Sequence, residues 1–121
     1  MRINLEATEA YSQLPDADWS LIPHHMHEGI ARWVVLGVLP GDFLHNLIAN
    51  DFKMASRAAD EHNLRGLGKW AMFLHNHVPT DCWGSPEAVA RWHSHGGFFG
   101  LCREAKEAAD KAEQQEAVRN D

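Results

Sequence analysis

The sequence predicts an all-α protein, a compact bundle of four or five short helices built on an antiparallel helical hairpin. Three observations support this class. Apolar residues recur every three or four positions in several segments, one segment carries a strong helix-start signal, and no segment alternates apolar and polar residues as a strand does. The predicted division is an N-terminal arm (1–20), a helical domain (21–102) and a helical or frayed tail rich in Ala, Glu and Lys (103–121).

The first predicted helix, helix A, runs from about Pro23 to Leu36. Ser20 can cap it, and Pro23 suits its first turn because the missing amide N–H costs nothing there. Gly37 stands where a helix C-terminus prefers glycine. The apolar side chains that share one face of the helix are Met26, Ile30, Trp33 and Val34.

Helix B follows after the short turn Leu39-Pro40-Gly41-Asp42, so we expect it to lie antiparallel to helix A. Its apolar pattern continues to about Asp60, which predicts one unbroken helix. Asn50 and Asp51 fall in its middle, although such side chains compete there for backbone hydrogen bonds. Their presence therefore requires a tertiary reason.

Helix C is predicted after a break at residues 61–63. Asn63 is the candidate N-cap, because asparagine is favoured at that position. The helix ends before Pro79, since the residue that precedes a proline disfavours helical geometry.

Helix D has the clearest start in the chain. In Ser85-Pro86-Glu87, a serine can cap the helix, a proline occupies its first position, and an acid lies in its first turn. Gly96 and Gly97 should end this helix near His95. After an apolar cluster at 98–102, the tail has high helix propensity but little apolar surface to bury.

Composition excludes several classes of function. The net charge of -6 argues against direct binding to nucleic acids or anionic membranes, because such binders use Lys and Arg to neutralise phosphates. Apolar runs are too short to span a membrane. With two cysteines and no secretory signal pattern, we expect a reduced cytosolic protein without disulfides.

A set of polar residues on helices A and B is the first candidate site. Arg32 lies on helix A, and helix B presents Asn50, Asp51, Arg57 and Asp60. In one interpretation Asp51 is close to the buried stripe and pairs with Arg32 or Arg57, so that the set holds the helices together. In the other, the same residues line a pocket for a small ligand or for a charged group of a partner.

Tryptophan is frequent, with five residues in the chain. Trp33 and Trp70 are predicted to fill the core. Trp83 lies in a loop before Gly84, so it is the best candidate for an exposed or pocket-lining ring that could anchor a partner.

Histidines and cysteines provide only a weak metal candidate. The best set is His75, His77 and Cys82, because a loop follows the end of helix C there. Residues two positions apart on a helix point in different directions, so His-x-His pairs chelate poorly. Cys82 also lacks the glycine-rich elbow and orienting carboxylate of a catalytic nucleophile. We therefore expect no metal and no cofactor.

The segment from Pro23 to about Trp92 resembles a group of small, uncharacterised proteins of tailed bacteriophages and prophages. The residues that carry the resemblance are HMHEGIARW, GVLPGDFL, AND, RAAD, Asn63 and CWGSPEAVARW, in that order. The resemblance implies no particular activity. Its relatives end soon after the position of Trp92 and have aromatic residues near His75, which argues against the metal set and marks the tail as an addition.

These observations predict a non-enzymatic phage accessory protein that binds a host protein or complex in the cytoplasm of an infected bacterium. Small acidic phage proteins without catalytic motifs act by binding, for example as inhibitors of a defence system such as CRISPR–Cas. The alternative is a binder that sequesters a small ligand such as a nucleotide signal. A metal-dependent hydrolase is a third hypothesis, and dimerisation through the tail or an exposed tryptophan stays open.

Overall fold

The computed structural model describes residue 14 and residues 16–119, which form α-helices and short 3₁₀ turns without a β-strand. The predicted all-α class is confirmed. The helices are α1 (His27–Leu36), α2 (Asp42–Ile48), α3 (Phe52–Ala58), α4 (Glu61–Arg65), α5 (Leu67–His77), α6 (Pro86–His95) and α7 (Gly97–Arg119). The 3₁₀ turns are Trp19–Leu21, His24–Met26 and Thr80–Cys82. Most of the predicted arm, and the last two residues of the predicted tail, lie outside the described residues.

Helix A corresponds to a 3₁₀ turn followed by α1. The predicted C-terminus is confirmed: Gly37 has a φ of 68° and its N–H donates to the carbonyl oxygen of Trp33 at 2.9 Å, while the N–H of Val38 donates to that of Arg32 at 3.4 Å. Ser20 does not cap the helix, however. Its hydroxyl and its N–H both donate to the Asp18 carboxylate, at 2.5 and 3.2 Å, so Ser20 belongs to the preceding turn.

Helix B is two helices rather than one, which corrects the prediction. Asn50 adopts a left-handed conformation with a φ of 64°, and this ends α2. Asp51 then caps α3, since its Oδ1 accepts from the N–H of Met54 at 3.1 Å. Asparagine tolerates the left-handed region and aspartate is a preferred N-cap, so the two residues that looked out of place mark a helix boundary.

The break before helix C was predicted at residues 61–63, but these residues are helical and belong to α4, and the break lies at Ala59 and Asp60. Asn63 is also not the cap. Asp60 caps α4 by accepting from the N–H of Asn63 at 2.7 Å. Asn63 is buried inside α4, and its Oδ1 accepts from the Trp70 indole N–H at 2.9 Å. Gly66 then separates α4 from α5, which ends before Pro79 as predicted.

Helix D is confirmed as α6. The Ser85 hydroxyl accepts from the N–H of Ala88 at 3.0 Å, and Pro86 occupies the first turn. The helix ends at His95, followed by Gly96 with a φ of 78°. These local signals are sufficient because each satisfies a terminal backbone group without help from distant parts of the chain.

The core contains Trp33 and Trp70, both fully buried as predicted. The buried indole N–H groups of Trp33 and Trp92 also have acceptors. The Trp33 N–H donates to the carbonyl oxygen of Cys82 at 2.9 Å, and the Trp92 N–H donates to the carbonyl oxygen of Trp33 at 3.0 Å. Because a buried N–H without an acceptor is costly, these bonds fix the loop before α6, α6 itself and α1 relative to one another.

Helix packing does not confirm the antiparallel hairpin of helices A and B. The main neighbour of α2 is α3, and the main neighbour of α1 is α7. The contact between α1 and α7 depends on glycine: Gly37 follows α1 and touches Gly96 and Gly97 at the start of α7. Side chains 102–116 of α7 are exposed, so this part of the predicted tail is a solvated helix.

Candidate functional site

A cleft of about 380 Å³ opens between α1, the turn before α2, and the junction of α3 and α4. We call it the carboxylate cleft. The residues that determine its character are His25, Gly29, Asp42, Phe43, Leu44 and Asp60. Its volume falls in the range of sites that accept a small molecule or a side chain of a partner.

The floor of the cleft is apolar and formed by the core. Phe43 and Leu44 lie in the first turn of α2 and are 7% and 1% exposed. Gly29, on α1, leaves open space because a Cβ there would approach only Leu44 Cδ2, at 4.0 Å. The Pro40-Gly41 turn places α2 beside this position, and Phe43 and Leu44 belong to the packed core.

The rim of the cleft carries charge. His25 Nε2 lies 2.9 Å from Asp60 Oδ2, and both side chains are about half exposed. The pKa of Asp60 lies below its usual value, chiefly because its carboxylate accepts the backbone N–H of Asn63, with a further contribution from His25. Asp42, in the first turn of α2, adds a second carboxylate. The rim is therefore negatively charged at neutral pH.

Of the sequence-predicted site residues, only Asp60 lines this cleft. Neither arginine pairs with Asp51, which is exposed and bonds to Met54, so the interpretation in which Asp51 pairs with Arg32 or Arg57 to hold the helices together is wrong. The Arg32 guanidinium instead pairs with Glu28 one turn earlier, at 2.8 Å. The physical reason is that the break at Asn50 turns Asp51 into a cap facing its own helix.

The remaining predicted residues lie elsewhere. Asn50 and Arg57 are exposed, the first between α2 and α3 and the second in the last turn of α3. Trp83 is partly buried against the core, and its indole N–H donates to the carbonyl oxygen of Val78 at 3.3 Å. These residues do not line the carboxylate cleft together with Asp60.

The three candidate metal ligands do not form one site. His75 is exposed, while His77 packs against Phe73 with ring centroids 5.5 Å apart. Cys82 is buried, its thiol donates to the carbonyl oxygen of Pro79 at 3.0 Å, and burial raises its pKa to about 12. Throughout the part of the chain that the structure describes, no three His, Cys, Asp or Glu side chains are arranged to hold a metal ion.

Sequence reasoning missed most of the residues of the cleft. The turn before α2 was predicted from the sequence. His25 and Gly29 line the cleft only because α3 returns toward α1, and the sequence did not predict that return. A signal was present in the glycine at position 29, which lies inside an otherwise good helix at a cost of about 0.5–1 kcal/mol relative to alanine. Such a glycine indicates a place where open space or close approach is needed.

Within residues 16–119, no helix is both long enough and apolar enough to cross a lipid bilayer. Comparison of the chain with protein families, with curated proteins and with solved structures finds no match.

Proposed function

We propose that the protein acts by binding a partner protein, and that the carboxylate cleft receives an apolar side chain flanked by a cationic residue of that partner. The observation that carries the proposal is the combination of an apolar floor with a carboxylate rim. Side chains that are already packed in the core lose little conformational entropy when the floor is occupied, which favours affinity.

Charge at the rim selects the partner. Asp42 and Asp60 lie at the cleft, and the whole chain carries a net charge of -6. A negative field of this kind accelerates association with a basic surface and opposes an acidic one. The partner's contact segment is therefore an apolar anchor next to Lys or Arg.

The residues of the cleft support binding rather than covalent catalysis. The His25–Asp60 pair resembles the base and orienting acid of a hydrolase. Among the described residues that line the cleft there is no serine, threonine or cysteine, so the pair has no hydroxyl or thiol nucleophile there to activate. In the proposal, the contact between His25 and Asp60 keeps these two side chains at the rim of the cleft.

The resemblance of residues 23–92 to bacteriophage proteins supports a biological setting for this binding. The partner is then a protein or complex of an infected bacterial cell, located in its cytoplasm. Complexes of host defence, CRISPR–Cas effectors among them, are the class of partner that we propose first.

Filling the cleft tests the proposal. Gly29→Phe places a ring over the floor while it replaces a poor helix former. Gly68→Phe is the matched control, because nothing lies within 4 Å of a Cβ at that exposed position of α5. A partner captured from host lysate is purified, and its Kd is measured for each variant. We expect at least a tenfold weaker Kd, about 1.4 kcal/mol, for Gly29→Phe and no change for Gly68→Phe.

Charge removal and a cellular assay complete the test. Asp60→Asn keeps a residue that caps helices, and we expect it to raise Kd and weaken the salt dependence of binding. A partner that binds Gly29→Phe as tightly as wild type refutes the assignment of the cleft. Plating of a CRISPR-restricted phage on cells that express wild type or Gly29→Phe tests the setting, and equal plating with wild type and empty vector rejects counter-defence against that system.

A further inference from the structure

A second cleft, of about 330 Å³, lies on the other side of α4. One wall is the N-terminal segment 20–23, and the other is formed by α4 and the start of α5. The side chains that give this cleft its chemistry are His62, Arg65 and Lys69. We call it the basic cleft.

The charge of this cleft is opposite to that of the chain. Among the residues that the structure describes, three basic side chains line it and no carboxylate does, although the chain has 17 acidic residues against 11 Lys and Arg. The spacing of three and four residues places His62, Arg65 and Lys69 on one face of the nearly continuous α4 and α5. The concentration of positive charge at one cavity therefore results from the fold.

The neighbouring acids neutralise this charge only in part. Glu61 pairs with Arg65 at 2.7 Å, but both side chains are more than 70% exposed, and such surface pairs contribute little energy. The Asp18 carboxylate, which accepts from the N–H and the hydroxyl of Ser20, keeps its negative charge but does not line the cleft. Lys69 forms no ion pair with any residue in the described part of the chain.

We propose that the basic cleft binds a small phosphorylated ligand of roughly mononucleotide size. An arginine guanidinium matches the planar pair of phosphate oxygens, and lysine adds a second positive charge. The cavity lies at the lower end of the range of small-molecule sites, which leaves room for a phosphate group with one attached sugar or ring. This site is separate from the carboxylate cleft and does not depend on the function proposed for it.

Titration with pyrophosphate and with ADP tests the site by NMR of the ¹⁵N-labelled protein and by calorimetry. We expect saturable binding of both probes by wild type, with the largest shifts at Gly66 and Lys69. The double variant Arg65→Gln/Lys69→Gln should bind at least tenfold more weakly. Both residues are exposed, so the substitutions leave the core intact.

The matched control removes the same charge elsewhere. Lys53→Gln/Arg57→Gln changes two exposed residues of α3, outside the basic cleft, and should bind as wild type does. Equal weakening in the two double variants would show non-specific attraction to phosphate and overturn the proposal. Absence of saturable binding of either probe to wild type would overturn it as well. Neither outcome affects partner binding at the carboxylate cleft, which is measured separately.

Discussion

Replacement of Gly97 by alanine should strongly destabilise the fold, because Gly97, the first residue of α7, packs closely against the backbone at the end of α1. Gly97 has a φ of 70°, in the left-handed region. A Cβ there would lie 2.7 Å from the carbonyl carbon of Leu36 and closer still to the amide nitrogen of Gly37. These are backbone atoms, so no side-chain rotation can relieve the overlap.

The two costs can be added. An L-residue in the left-handed region loses about 1–2 kcal/mol, and forcing extra volume into a packed contact costs about 1–3 kcal/mol. The expected destabilisation of Gly97→Ala is therefore about 2–5 kcal/mol. For a chain of 121 residues, each kcal/mol lowers Tm by about 4 °C, so Tm should fall by about 8 °C or more.

Urea unfolding followed by tryptophan fluorescence measures this change. Gly68→Ala is the control: its Cβ meets nothing within 4 Å, and the substitution should raise stability by about 0.5–1 kcal/mol through helix propensity. The two substitutions add the same methyl group and differ in sign. If Gly97→Ala unfolds within about 0.5 kcal/mol of wild type, the close contact of α1 and α7 is not present in solution.

Three further predictions concern polar and thiol groups. Asn63→Leu should lower the free energy of unfolding by about 1–3 kcal/mol, because the buried Trp70 indole N–H loses its acceptor; a change below about 0.5 kcal/mol in urea unfolding would contradict the bond. Thiol reagents should label the exposed Cys102 quickly in folded protein and the buried Cys82, whose pKa is raised to about 12, only after denaturation; two fast thiols would refute this. The Asp60 pKa is lowered by folding, so its contribution to stability is complete above the unfolded value of 3.8 and is lost as pH falls toward the folded value; Asp60→Asn should flatten that acid limb, and an unchanged limb in unfolding experiments would argue against it.

Local signals predicted α6 well and helix B poorly, and the difference has a physical cause. Ser85, Pro86 and Gly96 each act on the nearest turn, so their preferences decide where α6 begins and ends. Asn50 and Asp51 have equally local preferences, for a left-handed residue and an N-cap. These two signals did not lead to a predicted break, because the helical spacing of apolar residues continues through it. Two helices of seven residues can share one apolar stripe, so periodicity alone does not detect the boundary between them.

The two candidate clefts could not be predicted from the sequence, for a related reason. Polar residues on helix B could be recognised, but which of them share a surface depends on the direction of α3 after the break. Asp60 lines a cleft because α3 returns toward α1, while Arg57, three residues earlier, faces solvent. Which side chains share a cleft depends on how the helices pack, and the spacing of residues along one helix does not determine that packing.

The short helix α4 and its N-cap, Asp60, lie between the two clefts and present different side chains to each of them. Asp60 and Asn63 line the carboxylate cleft, whereas His62 and Arg65 line the basic cleft. A helix of five residues has little stability of its own, so its orientation depends on the Asp60 cap and on the buried bond from Trp70 to Asn63. Since α4 and its cap border both clefts, the shape of each cleft depends on the position of this one short helix.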